Sequence, residues 1–192
     1  MTDLIAIDTE TSGLDPATDF ILALGAVTAN GATFKRYIHP PRDWLGRRKK
    51  VGAGACAVNG YTPELWNRRG AVEDVQAALS FALWLKSVKK EGARRPLAHN
   101  AGFDRAFLDA LSQRTRVTFD IVHRWECSMA ALSFAQRAGI VRPGPASLHH
   151  LAELIHVDRP DTHDALADAQ VCLMGYHHLV KLATPHTHTT PA

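Results

Sequence analysis

At 192 residues, with 46% apolar and 21% charged side chains and a net charge of +3, the chain has an ordinary soluble-globular composition and length enough for one full core. No apolar run approaches the roughly 20 residues that cross a bilayer, and the first one, Leu4–Ile7, has no basic residue before it and is too short for a secretory leader. Cys56, Cys127 and Cys172 form neither a disulfide framework nor a CxxC pair, so reduced thiols in a cytoplasmic protein are expected.

Leu4–Ile7 is a continuous apolar run, the mark of a strand buried on both faces. Residues 11–19, with Gly13 and Pro16, read as a loop. Strands are predicted over 20–28 and 32–39, joined by a hairpin at Asn30-Gly31. Residues 42–61 are basic and glycine-rich, predicting loops and a short helix. From 71 to 90, Val72, Val75, Leu79, Ala82 and Leu83 follow helical spacing. Phe81, Trp84 and Val88 populate another face, which predicts a helix packed on two sides.

Pro96–Ala98 reads as a short strand and 101–114 as a helix with Asn100 at its N-cap. A further strand is predicted over 117–122, then helices over 125–138 and 147–156. A last helix is predicted from about 162 to 182, capped by Asp161 or Thr162, with Asp164 near N3 and a buried stripe of Leu166, Ala169, Leu173, Tyr176 and Val180. Strands linked as a hairpin, then alternating with helices, predict one α/β domain over 1–182 with a mixed sheet flanked by helices. The polar tail 183–192 lacks periodicity and is expected to be disordered.

Charge is unevenly spread. The first 30 residues hold five acids and no base, whereas 42–50 and 86–95 each hold five bases and one acid. Such segments suit a polyanion, because neutralising phosphates releases counterions, although a charge run alone is more often a solvated surface.

Three strings carry chemistry. Asp8 and Glu10 end the first strand in DTET, and residues i and i+2 of a strand point to one side. Two adjacent carboxylates repel each other unless a cation lies between them. D-x-E is nevertheless weak as a pattern. HNAGFD, at 99–104, is far more specific: Phe103 and Phe107, four apart, bury one helix face and so fix the direction of Asp104. HDALAD, at 163–168, places His163 at a helix start and Asp168 on the side opposite the predicted buried stripe. The spacing H-x4-D recurs at His99–Asp104 and His156–Asp161, so it is not diagnostic alone. The pairs His149-His150 and His177-His178 lack matching acids or cysteines and are not read as zinc sites.

Taken together, IAIDTETSGLDP, ILALGAV, PLAHNAGFDRAFL and HDALADA resemble, in order, the DEDDh (DnaQ-like) exonucleases. The resemblance implies an RNase H-like fold, 3′→5′ exonuclease activity and two Mg²⁺ or Mn²⁺ ions. By motif match, Asp8, Glu10, Asp104 and Asp168 would be the metal-binding acids and His163 the general base, placing the chain in the His branch. All-oxygen ligands favour Mg²⁺ or Mn²⁺ over zinc, and an imidazole can take a proton at neutral pH. Substrate contacts are expected at Thr9, Thr11, Leu14, Asn59, His99 and Asn100. The chain departs from the family where Ala23 replaces a frequent Glu, and where Asn59-Gly60-Tyr61 replaces a frequent His-Gly-Ile.

The implied partners are single-stranded nucleic acid 3′ ends, with no membrane and no polymerase-tethering extension; the resemblance leaves room for a homodimer. A DNA exonuclease, an exoribonuclease trimming RNA 3′ ends, and a non-catalytic nucleic-acid-binding protein all remain open. The last is disfavoured because all five site residues are present.

Overall fold

The computed structural model describes residues 3–92, 95–158 and 163–184. Strands β1 (Leu4–Thr11), β2 (Ile21–Thr28), β3 (Thr33–Tyr37), β4 (Arg95–Ala98) and β5 (Glu126–Cys127) form one sheet in the order β3-β2-β1-β4-β5. β2 runs antiparallel to both β1 and β3, while β4 is parallel to β1 and β5 parallel to β4. The Asn30-Gly31 hairpin forms as expected: Gly31 takes φ +87°, and its N–H donates to the Thr28 carbonyl at 2.9 Å.

Helices cover both faces: α1 (Ala53–Asn59), α2 (Pro63–Arg68), α3 (Asp74–Lys90), α4 (Ala101–Thr115), α5 (Ser128–Arg137), α6 (Leu148–Leu154) and α7 (Ala165–Ala183). The alternation of β1 sorts the two cores. Ile5 and Ile7 meet Phe81 and Leu85 of α3 and Phe107 and Leu111 of α4. Leu4 and Ala6 meet Leu132 of α5, Leu151 of α6 and Cys172 of α7. Burying each large side chain stabilises the fold by roughly 1.5–3 kcal/mol. A third cluster seats Trp66 of α2 on Phe20 and Leu22, with the indole N–H donating to the Leu22 carbonyl at 2.8 Å.

Several expectations are corrected. Residues 117–122 form no strand; Val117, Phe119 and Ile121 instead pack on the α3/α4 core, and the β4 edge is taken by Glu126–Cys127. α3 begins at Asp74, because Val72 pairs with Ile38 as an isolated bridge. Its expected stripe of Val75, Leu79 and Leu83 is exposed, and the buried side is Ala77, Ala78, Phe81, Leu85 and Val88. Two apolar stripes share one helical period here, and the bulk of Phe81 decides which faces the sheet. α2 was not anticipated, although Thr62 caps it by accepting from the Leu65 N–H at 3.1 Å and Pro63 fills its first position.

α5 starts at Ser128 and α6 spans only Leu148–Leu154, since the flanking residues continue as β5 and as turns. α7 begins at Ala165 with Asp164 itself as N-cap, its carboxylate accepting from the Leu166 and Ala167 N–H groups at 3.1 Å each. The alternative caps Asp161 and Thr162 lie outside the described residues, as does the tail from 185 on. The buried side of α7 runs through Ala165, Asp168, Ala169, Cys172 and Leu179; Leu166, Tyr176 and Val180 are only partly buried. Among the described residues no helix is long and apolar enough to cross a membrane.

Candidate active site

The site is built on the overhang of β1. β4 pairs with β1 only as far as Ala6↔Leu97, so beyond that point β1 has a partner on one edge alone. On the open edge the Thr9 N–H donates to Asp104 Oδ1 at 3.0 Å, and the Thr9 hydroxyl donates to the same oxygen at 2.8 Å. β4 turns directly into α4, which delivers Asp104 to that edge in its first turn. Phe103 and Phe107 pack at 4.8 Å between centroids and hold the turn down, as their spacing predicted. Asn100 occupies the N-cap position, but its side chain makes no capping bond. Asp104 thus reaches the acids of β1 around the strand edge, from the α4 side.

The other half arrives on α7. Gly25 of β2 pairs with Asp8, and a Cβ at Gly25 would lie 2.3 Å from the Ala165 carbonyl carbon and from the Leu166 nitrogen. The missing side chain lets the first turn of α7 lie on the sheet beside Asp8. Lys35, paired with Gly25 from β3, forms an ion pair with Asp164. Burial works against the charge on Asp164, but Lys35 and the α7 amides outweigh it and hold the carboxyl below its ordinary value.

Set this way, His163 Nδ1 lies 3.8 Å from Glu10 Oε1 and 3.7 Å from Asp168 Oδ2. Asp168, expected opposite the buried stripe, is instead only 3% exposed, because α7 packs along both flanks of its site-facing side. The His163 side chain is 40% exposed, so the imidazole stands at the mouth while Glu10, Asp104 and Asp168 lie inside.

Burial pushes the Asp104 carboxyl up to about 7, and the two Thr9 hydrogen bonds only partly offset it. One donor atom each from Glu10, His163 and Asp168 lies within 4.8 Å of the others, close enough to share a metal ion. Asp8 and Glu10 project to the same side of β1, so the donor set is mostly carboxylate oxygen and fits a hard divalent cation. Cys172 is no competing ligand: burial pushes its thiol up, and the nearby charges of Asp8 and Asp104 add to that.

The residues expected to contact substrate are placed as follows. Thr9 serves Asp104 with both its amide and its hydroxyl. The Thr11 hydroxyl donates to the Gly13 carbonyl at 2.6 Å, closing the loop from which Leu14 projects 85% exposed. Asn59 ties the end of α1 to β1, donating to the Thr11 carbonyl at 3.1 Å and accepting from the Tyr61 N–H at 3.0 Å. His99 is buried, its ring nitrogens 2.9 Å from Ser128 Oγ and 3.2 Å from the Ala146 carbonyl. Asn100 is exposed at the start of α4. The roles of Gly25 and Lys35 and the bonding of Thr9 to Asp104 lie beyond the sequence reading, which places Thr9 only as a substrate contact; a lone glycine inside ILALGAV was the available signal of a close backbone approach.

A mixed sheet with acids gathered at the overhang of its central strand, and an imidazole at the mouth, defines a metal-dependent nuclease of RNase H-like fold. The sequence model of the exonuclease family of RNase T type matches residues 5–174, and the chain belongs to that family. Ribonuclease T of Haemophilus ducreyi is 27% identical over 175 residues, covering 86% of this chain and 79% of its own. The nuclease domain of 3′hExo, a DEDDh family member solved bound to rAMP, superposes with a TM-score of 0.68 at 18% identity, covering 93% of this chain and 91% of its own. Escherichia coli exonuclease I, solved with a dT13 oligonucleotide, superposes with a TM-score of 0.69 at 21% identity over 91% of this chain. The chain spans about 40% of the length of exonuclease I. Members of the family use divalent metal ions.

Proposed function

We propose that residues 1–182 act as a 3′→5′ exonuclease on single-stranded or frayed DNA, releasing nucleoside 5′-monophosphates. The observation that carries this reading is the gathering of Glu10, His163 and Asp168 within 4.8 Å, beside Asp8 and the Thr9-bound Asp104. Asp8, Glu10, Asp104 and Asp168 would hold two divalent ions, Mg²⁺ or Mn²⁺. When bound, such ions offset the four carboxylates, polarise the phosphodiester and lower the pKa of water.

His163, reachable from solvent yet set against two carboxylates, accepts the proton of the attacking water. The water oxygen bonds to phosphorus, the bond from phosphorus to the 3′ oxygen of the preceding nucleotide breaks, and that oxygen takes a proton from solvent and leaves as the new 3′ hydroxyl. Glu10 and Asp168, 3.8 and 3.7 Å from its Nδ1, set where the imidazole stands. Leu14, on a loop pinned by the Thr11 and Asp19 hydrogen bonds, is presented to the terminal nucleotide. Asn59 and His99 support the walls from behind, and the exposed Asn100 lines the approach to Asp104.

A second reading, trimming of RNA 3′ ends, is favoured by the curated relatives named ribonuclease T. The free thiols of Cys56, Cys127 and Cys172 are consistent with a cytoplasmic enzyme. Digestion of 5′-labelled single-stranded DNA and RNA with Mg²⁺, Mn²⁺ or EDTA separates these readings. We expect a 3′-shortening ladder with metal, none with EDTA, and near-complete loss in Asp8→Ala. Cleavage that persists in EDTA sinks the metal-dependent mechanism.

A further inference from the structure

The basic segment 42–50 takes no part in the site, yet it is a built hairpin. The Asp43 N–H donates to the Arg47 carbonyl at 2.7 Å, and the Gly46 N–H donates back to the Asp43 carbonyl at 2.9 Å. The Asp43 carboxylate accepts from the Leu45 and Arg47 amides, at 2.9 Å each, and Gly46 takes φ +77°. Below the tip, Arg42 donates to the Gly46 carbonyl at 2.7 Å, and Arg48 bonds Glu73, the N-cap of α3, and the Pro40 carbonyl.

This anchored turn holds an indole in water. Trp44 is 89% exposed and Leu45 51%, whereas Trp66 is only 1% exposed. The turn is held by backbone hydrogen bonds and by the Asp43, Arg42 and Arg47 side chains, and none of these contacts involves the indole. Arg42, Arg47, Lys49 and Lys50 are exposed around it. The hairpin also stands at the acid end of the sheet. It feeds directly into α1, whose preceding Gly52 lies against the Ser12 carbonyl and whose last residue, Asn59, bonds the Thr11 carbonyl. Pro41 and Lys49 share a cleft with Pro16–Phe20, the loop that follows the acids of β1.

We propose that this hairpin is a second contact for single-stranded nucleic acid: Trp44 stacks on a base of the strand upstream of the nucleotides in the active site, and Arg42, Arg47, Lys49 and Lys50 take its phosphates. An exposed aromatic among cations suits a sequence-tolerant single strand, because every base has a π-face and every phosphate a charge. The proposal rests on the nuclease reading of the site and adds to it a dependence on substrate length.

The test compares the full chain and Trp44→Ala on a thymidine trinucleotide and on an oligonucleotide of about 15 residues, long enough to span a second contact. We expect Trp44→Ala to raise KM for the long substrate about tenfold, the effect of losing one stack, with kcat and trinucleotide turnover unchanged. Trp44→Phe keeps most of the affinity. In the Asp8→Ala background, binding of the long strand is expected to quench indole emission, and the quench should vanish in Trp44→Phe. Lys49→Ala with Lys50→Ala is expected to flatten the salt dependence of binding by about 0.7 per lost phosphate contact. Equal KM on the long substrate overturns the proposal, and so does an equal loss on both lengths. A change of sedimentation in Trp44→Ala with unaltered oligonucleotide affinity also overturns it and assigns the tip to self-association. If neither substrate is cut by the unmodified chain, the nuclease reading fails, while the binding and quenching measurements still decide the hairpin.

Discussion

The His163 side chain is 40% exposed, and this accessibility separates its role from that of the buried acids Glu10, Asp104 and Asp168. Its Nδ1 stands 3.7–3.8 Å from Glu10 and Asp168, whose side chains are 8% and 4% exposed. Removing the imidazole leaves the carboxylates in place, so His163→Ala should lower kcat by about 10²–10⁴ while retaining Mg²⁺ binding. Single-turnover rates and calorimetric metal titration check this; a rate near that of the unmodified chain at pH 7 makes His163 a bystander. The facing pair Asp8 and Glu10 was legible in the sequence, because strand alternation alone puts i and i+2 on one side. The partner of Asp104 was not: Thr9 lies 95 positions away, and its free amide exists only because β4 stops short of it. Asp168 was legible as an acid but not as buried, since a helical period cannot say that a second layer covers the same flank.

Among the elements, the start of α7 carries the most consequence. Asp8, Gly25 and Lys35 form one row across β1, β2 and β3, and the row ends in the ion pair to Asp164. Gly25 removes the obstacle under the helix and Lys35 holds its cap, so together they set where His163 and Asp168 fall. In Gly25→Ala the added carbon meets helix backbone at 2.3 Å, which no side-chain motion relieves. We expect a loss of roughly 1–3 kcal/mol of stability and a fall in kcat beyond the folded fraction lost. Lys35→Met keeps the stem and removes the charge. It should cost about 1 kcal/mol or less, lower kcat with little change in KM, and be partly rescued by Lys35→Arg. Unchanged kcat in a folded Lys35→Met would separate the ion pair from catalysis. The long runs of β1, β2 and α4 were readable from pattern because burial on known faces dictates them. The strand expected over 117–122 failed for a tertiary reason: its alternating apolar residues cover α3 and α4, with Phe119 and Phe81 at 5.4 Å.

At the scale of the whole molecule, the two helical layers bring acids from opposite faces of the sheet to one strand overhang, Asp104 with α4 and Asp168 with α7. That convergence was inferred from the family resemblance of three ordered strings; periodicity and charge alone predicted the sheet and its flanking helices, not their meeting point. It also has a thermodynamic consequence for the metal-free protein. The folded Asp104 carboxyl is raised to about 7 by burial, above its ordinary value in the unfolded chain. The unfolded state therefore sheds this proton first as pH rises, so the contribution of Asp104 to stability is full below the ordinary carboxylate value and is lost as pH climbs towards about 7. A divalent cation that binds only the folded site counters the loss, by roughly 2.7 kcal/mol at a hundredfold excess over Kd, or about 5–10 °C in Tm for a domain of this size. Protons compete for the same carboxylate, so the Mg²⁺-induced rise in Tm should be larger at pH 7.5 than at pH 5.5. Asp104→Asn should be more stable than the unmodified chain at pH 7.5 without metal, and should lose most of the pH dependence of the metal effect. Thermal melts of both proteins, with Mg²⁺ and with EDTA, give the comparison; a metal shift independent of pH would mean that Asp104 is already charged and compensated in the free protein.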